Sequence, residues 1–486
     1  MVESWDKRTL AKHKVRQQSA RVGSSVRSPE YLTLKEAAEL TGKTANNISY
    51  LIQYNRIKKY NPKGELILKS VNGELRVSRN ELISYFKELG RYTQERLKKL
   101  KITDATLGFL DVPERERTKH VHRLHPYLGK FIPQLAEYFL SKYFQTGQVV
   151  IDPFSGSGTT LVQASEMGIH SIGIDVSEFN VMIQEAKLAK YDLQTMQKDV
   201  LDIMRKTIAF SDTIVANGQM TLASFDSIPE SDSAFLKEWF AEKSLKEMMF
   251  YKTLIPNYSY QNLLKIILSR TIRSCRLTYH YELAHPRRPV REPYICHKHK
   301  NRICTPLETI REKLKQYSID TIRRIEAFDK LRKSSENYIF REDSKTIDLR
   351  RQLPRGYFDK YHIKGIFTSP PYVGQIDYHE QHRYAYELFD IPRNDALEIG
   401  PKSRGKGKSA QSSYVESISS VLVNMKKYVD GDGVMIIVAN DKLNLYPKIA
   451  DKSGLRIYET FLRPVEDRTE RDKNPYSESI FVMKSV

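Results

Sequence analysis

Cysteine is scarce in this chain of 486 residues: there are three, Cys275, Cys296 and Cys304. That number is too small for a disulfide framework, so the expected compartment is a reducing one, the cytoplasm. Long apolar runs are missing too. The longest, Gly433 to Ala439, falls far short of the ~20 residues that cross a bilayer. The first residues are polar and basic with no apolar signal core, so no membrane partner is expected. Acidic charge is the third shortfall, with 59 Asp and Glu against 79 Lys and Arg, a net charge of +20. The surplus suits a polyanionic partner, although an ordinary basic surface has the same composition. The length allows two or three domains.

The stretch Val149-Val150-Ile151-Asp152-Pro153-Phe154-Ser155-Gly156-Ser157-Gly158-Thr159-Thr160 reads as a strand buried on both faces, a tight glycine loop and the first turn of a helix. The helix ends at Gly168, and a second strand, His170 to Ile174, runs into Asp175. Strand, glycine turn, helix, strand and acid make the nucleotide-binding half of a doubly wound sheet, in which the second acid can accept both ribose hydroxyls. The loop lacks the Lys of a Walker loop and the third glycine of a dinucleotide fingerprint, which argues against ATP and NAD. A second signal comes much later, at Gly365-Ile366-Phe367-Thr368-Ser369-Pro370-Pro371-Tyr372. There an apolar strand meets two prolines and an aromatic at the carboxyl edge of the sheet, where such folds bind ligands.

Together the two motifs resemble those of S-adenosylmethionine-dependent DNA methyltransferases that modify exocyclic amino groups. The resemblance covers roughly residues 118 to 200 and 335 to 486. It implies an α/β fold: a doubly wound, Rossmann-like methyltransferase sheet ending in an antiparallel strand pair, Leu455 to Val465 with Ser477 to Met483. It implies S-adenosyl-L-methionine as cofactor, held by His125, Tyr127, Asp152, Pro153, Phe154, Gly156, Gly158, Thr159, Asp175, Asp343 and Thr368. The catalytic residues would be Ser369, Pro370, Pro371 and Tyr372, and the serine form of the motif favours N4 of cytosine over N6 of adenine. Methylation of a ring carbon needs a cysteine nucleophile, usually after proline. Here Ser274, Ile295 and Ile303 precede the three cysteines.

The expected organisation begins with a basic flexible arm at 1–29. Residues 30–96 come next, a module in which Thr33 and Glu36 form a capping box and Asn72-Gly73 joins a hairpin. Two helices, a hairpin wing and a third helix resemble the winged helix-turn-helix domains of excisionase and MerR type, or a protein-contact module on the same fold. In the first case Asn46, Asn47 and Tyr50 would face the DNA major groove. A linker at 97–117 leads to the cofactor half of the core, 118–210. The catalytic half is 335–486.

Between the halves, an α-rich insertion at 211–334 interleaves aromatics with cations, including Arg287, Arg288 and Arg291, as a target-recognition region would. Lys402, Arg404, Lys406 and Lys408 form a second basic group, in a segment (401–413) read as a mobile loop. Cys296, His299 and Cys304 resemble part of a zinc knuckle, with Cys275 as a further candidate, but their spacing matches no closed four-ligand motif; the reading is no metal, with zinc here as the alternative. Expected partners are double-stranded DNA and a companion restriction endonuclease, the oligomeric state being open. The rival readings are an RNA base methyltransferase and a non-enzymatic DNA-binding regulator.

Overall fold

The computed structural model describes residues 30–41, 45–53, 56–67, 74–87, 104, 106–109, 112, 114–216, 229–283, 286–465 and 476–486. The expected basic arm at 1–29 and the Asn72-Gly73 turn lie outside the described residues. The chain divides into two units, Met1–Lys99 and Leu100–Val486.

In the first unit, β1 (Tyr31–Thr33) is followed by α1 (Leu34–Thr41) and α2 (Ala45–Gln53). Thr33 starts α1: the Glu36 N–H donates to Thr33 Oγ1 at 3.2 Å and the Thr33 N–H donates back to the Glu36 carboxylate at 2.8 Å. This reciprocal pair satisfies two amides that the first turn cannot, and it holds Glu36 below the usual carboxylate range. The chain returns through β2 (Arg76–Ser78), antiparallel to β1 with Leu32 opposite Val77, and enters α3, residues 79–87. Leu32, Ala37, Ile48, Ile57, Val77 and Leu82 close a small core. Asn46, Asn47 and Tyr50 fall on α2, but their side chains lie outside the described residues.

The second unit enters through α4 (Pro133–Tyr143), whose first turn accepts Pro133 because its missing N–H would have no partner there. Then come β3 (Val149–Asp152), α5 (Thr159–Met167), β4 (His170–Asp175) and α6 (Glu178–Leu188). A helical stretch follows: α7 (Leu193–Ala216), α8 (Glu242–Leu254), α9 (Gln261–Cys275) and α10 (Arg311–Asp329), with the short hairpin β5 (Tyr294–Cys296) and β6 (Arg302–Cys304) between the last two. The chain then lays down β7 (Asn337–Arg341), β8 (Ile363–Thr368), α11 (Lys408–Lys426), β9 (Val434–Ala439), α12 (Tyr446–Lys452), β10 (Leu455–Val465) and β11 (Tyr476–Ser485).

The sheet order is β10-β11-β9-β8-β3-β4-β7, and β11 runs antiparallel to both neighbours. β7 pairs in parallel with β4, so the helical stretch interrupts the chain between the second and third strands of the sheet. β3 is buried along its whole length, as a central parallel strand should be. Its side chains alternate: Val149 and Ile151 pack with Ile418 and Leu422 of α11, and Val150 packs with Leu135 and Phe139 of α4. Chain order reverses at β3, between β4 on one side and β8 on the other. A crevice opens there at the carboxyl ends of the strands.

Two local expectations are corrected. Residues 408–413 are the first turns of α11 rather than loop, because Tyr414, Val415, Ile418 and Leu422 bury a helical face that carries the preceding turns with it. The Tyr- and His-rich stretch Ile376–Phe389 after the Pro-Pro-Tyr turn reads as one helix in sequence; it is two short ones, Tyr378–Gln381 and Arg383–Phe389, broken at His382.

Candidate active site

The crevice holds a solvent-open cleft between the glycine loop and the end of β8. Its floor is the glycine loop. Gly156 and Gly158 have φ of 49° and 76°, in the left-handed region that disfavours side chains. A Cβ on Gly156 would lie 3.1 Å from the Tyr127 hydroxyl, and one on Gly158 would lie 2.9 Å from Cγ of Gln184. α6 braces the loop from below: Gln184 Nε2 donates to the Gly156 carbonyl at 2.9 Å, and the buried Lys187 ammonium donates to the Ser157 carbonyl. Burial holds Lys187 well below the usual ammonium range.

Asp152 ends β3 and is 2% exposed. Its carboxylate accepts from Thr160 Oγ1 at 2.6 Å, Thr368 Oγ1 at 2.5 Å and the Phe154 N–H at 3.2 Å. One acid therefore ties the glycine loop to the end of β8. Burial outweighs these three donors and pushes Asp152 up to about 6. Asp175 ends β4 and accepts from the Gly156 N–H (2.9 Å), the Ser177 N–H (2.9 Å) and Asn180 Nδ2 (3.1 Å). Burial raises it as well. A carboxylate offers about four lone-pair positions, so the cleft side of Asp175 keeps acceptor capacity.

Of the candidate cofactor residues, Tyr127, Asp152, Pro153, Phe154, Gly156, Thr159, Asp175 and Asp343 line the cleft. Gly158 and Thr368 sit behind it, shaping the loop and holding Asp152. His125 lies away from the lining: it is fully buried, with Nε2 3.0 Å from Ser269 Oγ and its ring against Phe179 and His382. Burial holds it well below the usual histidine range, so it is neutral. Asp343, just beyond β7, is paired with Lys345 at 3.3 Å.

Ser369 and Pro371 line the cleft beside Pro153 and Phe154, and Pro370 is buried behind them. Tyr372 turns the other way. It lines a smaller pocket of about 240 Å³ with Asn440, Asp441 and Tyr446, and its hydroxyl lies 3.1 Å from Glu478 Oε1. The sequence did not mark Asn440, whose side-chain oxygen is buried with no hydrogen-bond partner among the described residues. It also passed over Asn180 and Glu398 on the cleft wall, whereas Lys130, Tyr378 and His379, which line it too, belong to the segments 122–133 and 376–389 that the sequence places beside the cofactor. Glu398 accepts both the His379 N–H, at 2.7 Å, and a bond from its Nδ1. Their position after the Pro-Pro-Tyr turn was the available signal.

The basic candidates are on the surface. Arg287 lies 3.7 Å from Glu282, Arg291 donates to the Glu238 carbonyl at 3.2 Å, and Arg288 is exposed. Lys402, Arg404, Lys406 and Lys408 are all exposed, on and beside the turn that precedes α11. Cys275 belongs to the helical core, whereas Cys296, His299 and Cys304 converge with a residue that sequence reasoning missed, His280. No helix among the described residues is long and apolar enough to cross a membrane.

A glycine loop after the first sheet strand, acids after the next two and Thr-Ser-Pro-Pro-Tyr after the fourth, on a sheet with one antiparallel strand near its edge, define an amino-methyltransferase. A family model described as a DNA methylase, of the N6 and N4 methyltransferases, matches residues 31–186. The chain is 44% identical to the type II methyltransferase M.MjaII of Methanocaldococcus jannaschii, across 93% of this chain and 96% of that protein. It belongs to the type II DNA methyltransferases of this N6/N4 family, and its methyl donor is S-adenosylmethionine. More distant relatives are M.MvaI of Kocuria varians, 27% identical over 33% of this chain and 34% of that protein, and M.BsoBI of Geobacillus stearothermophilus, 24% identical over 65% and 60%.

Proposed function

We propose that the enzyme methylates the exocyclic amino group of a base flipped out of double-stranded DNA, with N4 of cytosine as the target, as the modification partner of a restriction endonuclease with the same recognition sequence. The observation that carries the proposal is the position of Ser369. It stands on the cleft wall at the end of β8, beside the Asp152-Pro153-Phe154 corner.

The donor set of the cleft fits the cofactor. Asp175 would accept the two ribose hydroxyls, Asp343 the adenine amino group, and the glycine loop would let the backbone approach. Tyr127 and Lys130 would enclose the methionine end. When bound, S-adenosylmethionine supplies a methyl group already activated by its sulfonium.

A duplex hides the target amine, so the base must leave the stack, at a cost of a few kcal/mol. Tyr372 would stack against it. The amine would donate to the Ser369 hydroxyl and the Pro370 carbonyl, which draw its lone pair out of ring conjugation and aim it at the methyl carbon. Orientation and fixed dipoles do most of this work, and the amine sheds its proton only after attack. The Asn440 oxygen beside Tyr372, without a hydrogen-bond partner among the described residues, supports a polar base-binding pocket there. The helix α2 and the basic groups at 287–291 and 402–408 would hold the duplex. The same geometry accepts N6 of adenine as the second reading, since Ser369 replaces only the stronger acceptor of an acid.

Labelled methyl transfer to unmethylated DNA, followed by nuclease digestion and mass spectrometry, tests this. N4-methylcytosine is expected, and Ser369→Ala should lower kcat by roughly 10²- to 10³-fold with little change in cofactor affinity. N6-methyladenine would move the target to the second reading. Labelled RNA with unlabelled DNA would refute both.

A further inference from the structure

The hairpin β5–β6 buries little apolar surface, its main packing being Tyr294 edge-on against Tyr279 at 4.8 Å. Each strand is three residues long, and of the six side chains only Cys296 is buried. Ile295 and Ile303, opposite each other in the register, are 61% and 75% exposed. An isolated two-stranded ribbon without an apolar face is marginal in water. Small elements of this kind are usually stapled by a disulfide or a metal.

Four ligand-type side chains meet at this hairpin. His280 Nδ1 lies 3.7 Å from Cys296 Sγ, His299 Nδ1 lies 3.2 Å from Cys304 Sγ, and all four atoms are within 4.8 Å of one another. A tetrahedral zinc ion with Zn–N near 2.0 Å and Zn–S near 2.3 Å sets nitrogen–sulfur edges of about 3.5 Å. The backbone is bent to bring the set together. His297–His299 form a tight helical turn, Lys300 and Asn301 follow with φ of 56° and 58°, and the Asn301 N–H closes onto the Cys296 carbonyl at 3.0 Å. That turn folds His299 back over the ribbon. His280 arrives from a separate turn, with its N–H donated to the Tyr294 hydroxyl at 3.0 Å and its ring 4.7 Å from that of His299.

We propose that His280, Cys296, His299 and Cys304 bind a structural zinc ion that fixes this hairpin within the insertion. Two thiolates and two neutral imidazoles leave the complex with no net charge, among Lys298, Lys300 and Arg302. Four protein ligands close the coordination sphere, as structural rather than catalytic sites require. Two other clusters, His120 with His122 and Glu166, and His379 with Asp395 and Glu398, lack thiolates. In each an acid is already paired with a cation outside the cluster, Glu166 with Lys119 at 2.7 Å and Asp395 with Arg393 at 2.9 Å.

The test is the metal content of the full-length protein, purified without chelator, by plasma mass spectrometry, together with the absorption spectrum of the Co²⁺-exchanged protein. Stoichiometric zinc and the charge-transfer and d–d bands of a tetrahedral two-thiolate cobalt site are expected. His299→Ala and Cys304→Ser should lose the metal, whereas His299→Cys should keep it and strengthen the thiolate band. Wild-type protein with substoichiometric zinc and freely reactive or disulfide-linked Cys296 and Cys304 would overturn the proposal. So would zinc retained in full by a Cys296→Ser, Cys304→Ser double variant. None of these measurements depends on methyl transfer.

Discussion

Replacing Asp152 by asparagine should stabilise the protein at neutral pH while impairing it as an enzyme. Asp152 is 2% exposed, and its pKa is about 6 rather than the ordinary 3.8. A shift of about two units at ~1.4 kcal/mol each amounts to about 3 kcal/mol. Since the folded-state value is the higher one, the acid is protonated in both states below about pH 4 and costs the fold nothing. Between about pH 4 and 6 the unfolded chain releases this proton while the folded one keeps it, so stability is lost across that window and the loss is complete once the buried carboxyl has ionised above about 6. An amide stands in for the protonated acid and escapes that cost. The stability advantage of Asp152→Asn should therefore grow with pH, levelling off at about 3 kcal/mol above pH 7. Urea denaturation at several pH values, followed through Trp239 in this unit, measures it. The same amide cannot accept from both Thr160 and Thr368 as the carboxylate does. Hydrogen bonds to a charged group are worth ~1.5–3 kcal/mol, so methyl transfer at pH 8 should fall roughly tenfold or more. A stability difference that does not change with pH, or an advantage of the variant over the parent that is smaller at pH 8 than at pH 5, would refute the reasoning.

Two further perturbations test the scaffold. A Cβ on Gly365 would lie 1.9 Å from the carbonyl oxygen of Val434 in the paired strand; Gly365→Ala should cost more than ~3 kcal/mol, whereas Gly431→Ala, with nothing near its Cβ, should melt like the parent in a thermal scan. Arg463 and Glu478, 1% and 4% exposed, pair across β10 and β11 at 2.6 Å, so Glu478→Ala should lose ~3–5 kcal/mol by stranding the guanidinium. Removing both in a double-mutant cycle should cost much less than the sum, and additive losses would argue against the pair.

Much of the methyltransferase half was legible because its signals are local. Val149 to Thr160 carries the strand, the turn and the helix start in twelve consecutive residues, and Asp175 follows within one more strand. The tertiary contacts were not legible in the same way. Resemblance of a segment marks it as near the cofactor without telling which side chain faces it, which is why His125 was assigned to the cleft although it packs against Ser269 and away from the lining. His280 was missed because sixteen positions separate it from Cys296, and Cys275, nearer to hand as a ligand type, faces the helical core. The start of α11 was readable. Tyr414, Val415, Ile418, Val421 and Leu422 have helical spacing, but the glycines and lysines before them drew the boundary too late.

The two motifs are more than two hundred residues apart in the chain, yet one carboxylate serves both. The reason lies in the sheet. β3 and β8 are hydrogen-bonded neighbours, with Val150 level with Gly365 and Ile151 level with Ile366. Asp152 and Thr368 are the last residues of these two parallel strands, so both chains end side by side at the carboxyl edge, where Thr368 Oγ1 reaches the Asp152 carboxylate. The length of the intervening chain hardly matters, since the entropy of closing a loop grows only with the logarithm of its length. An insertion large enough to carry its own helices and the β5–β6 hairpin can therefore enter between β4 and β7 without moving Ser369 relative to the cofactor loop. Conversely, a change at Asp152 or Thr368 should disturb both halves of the site together.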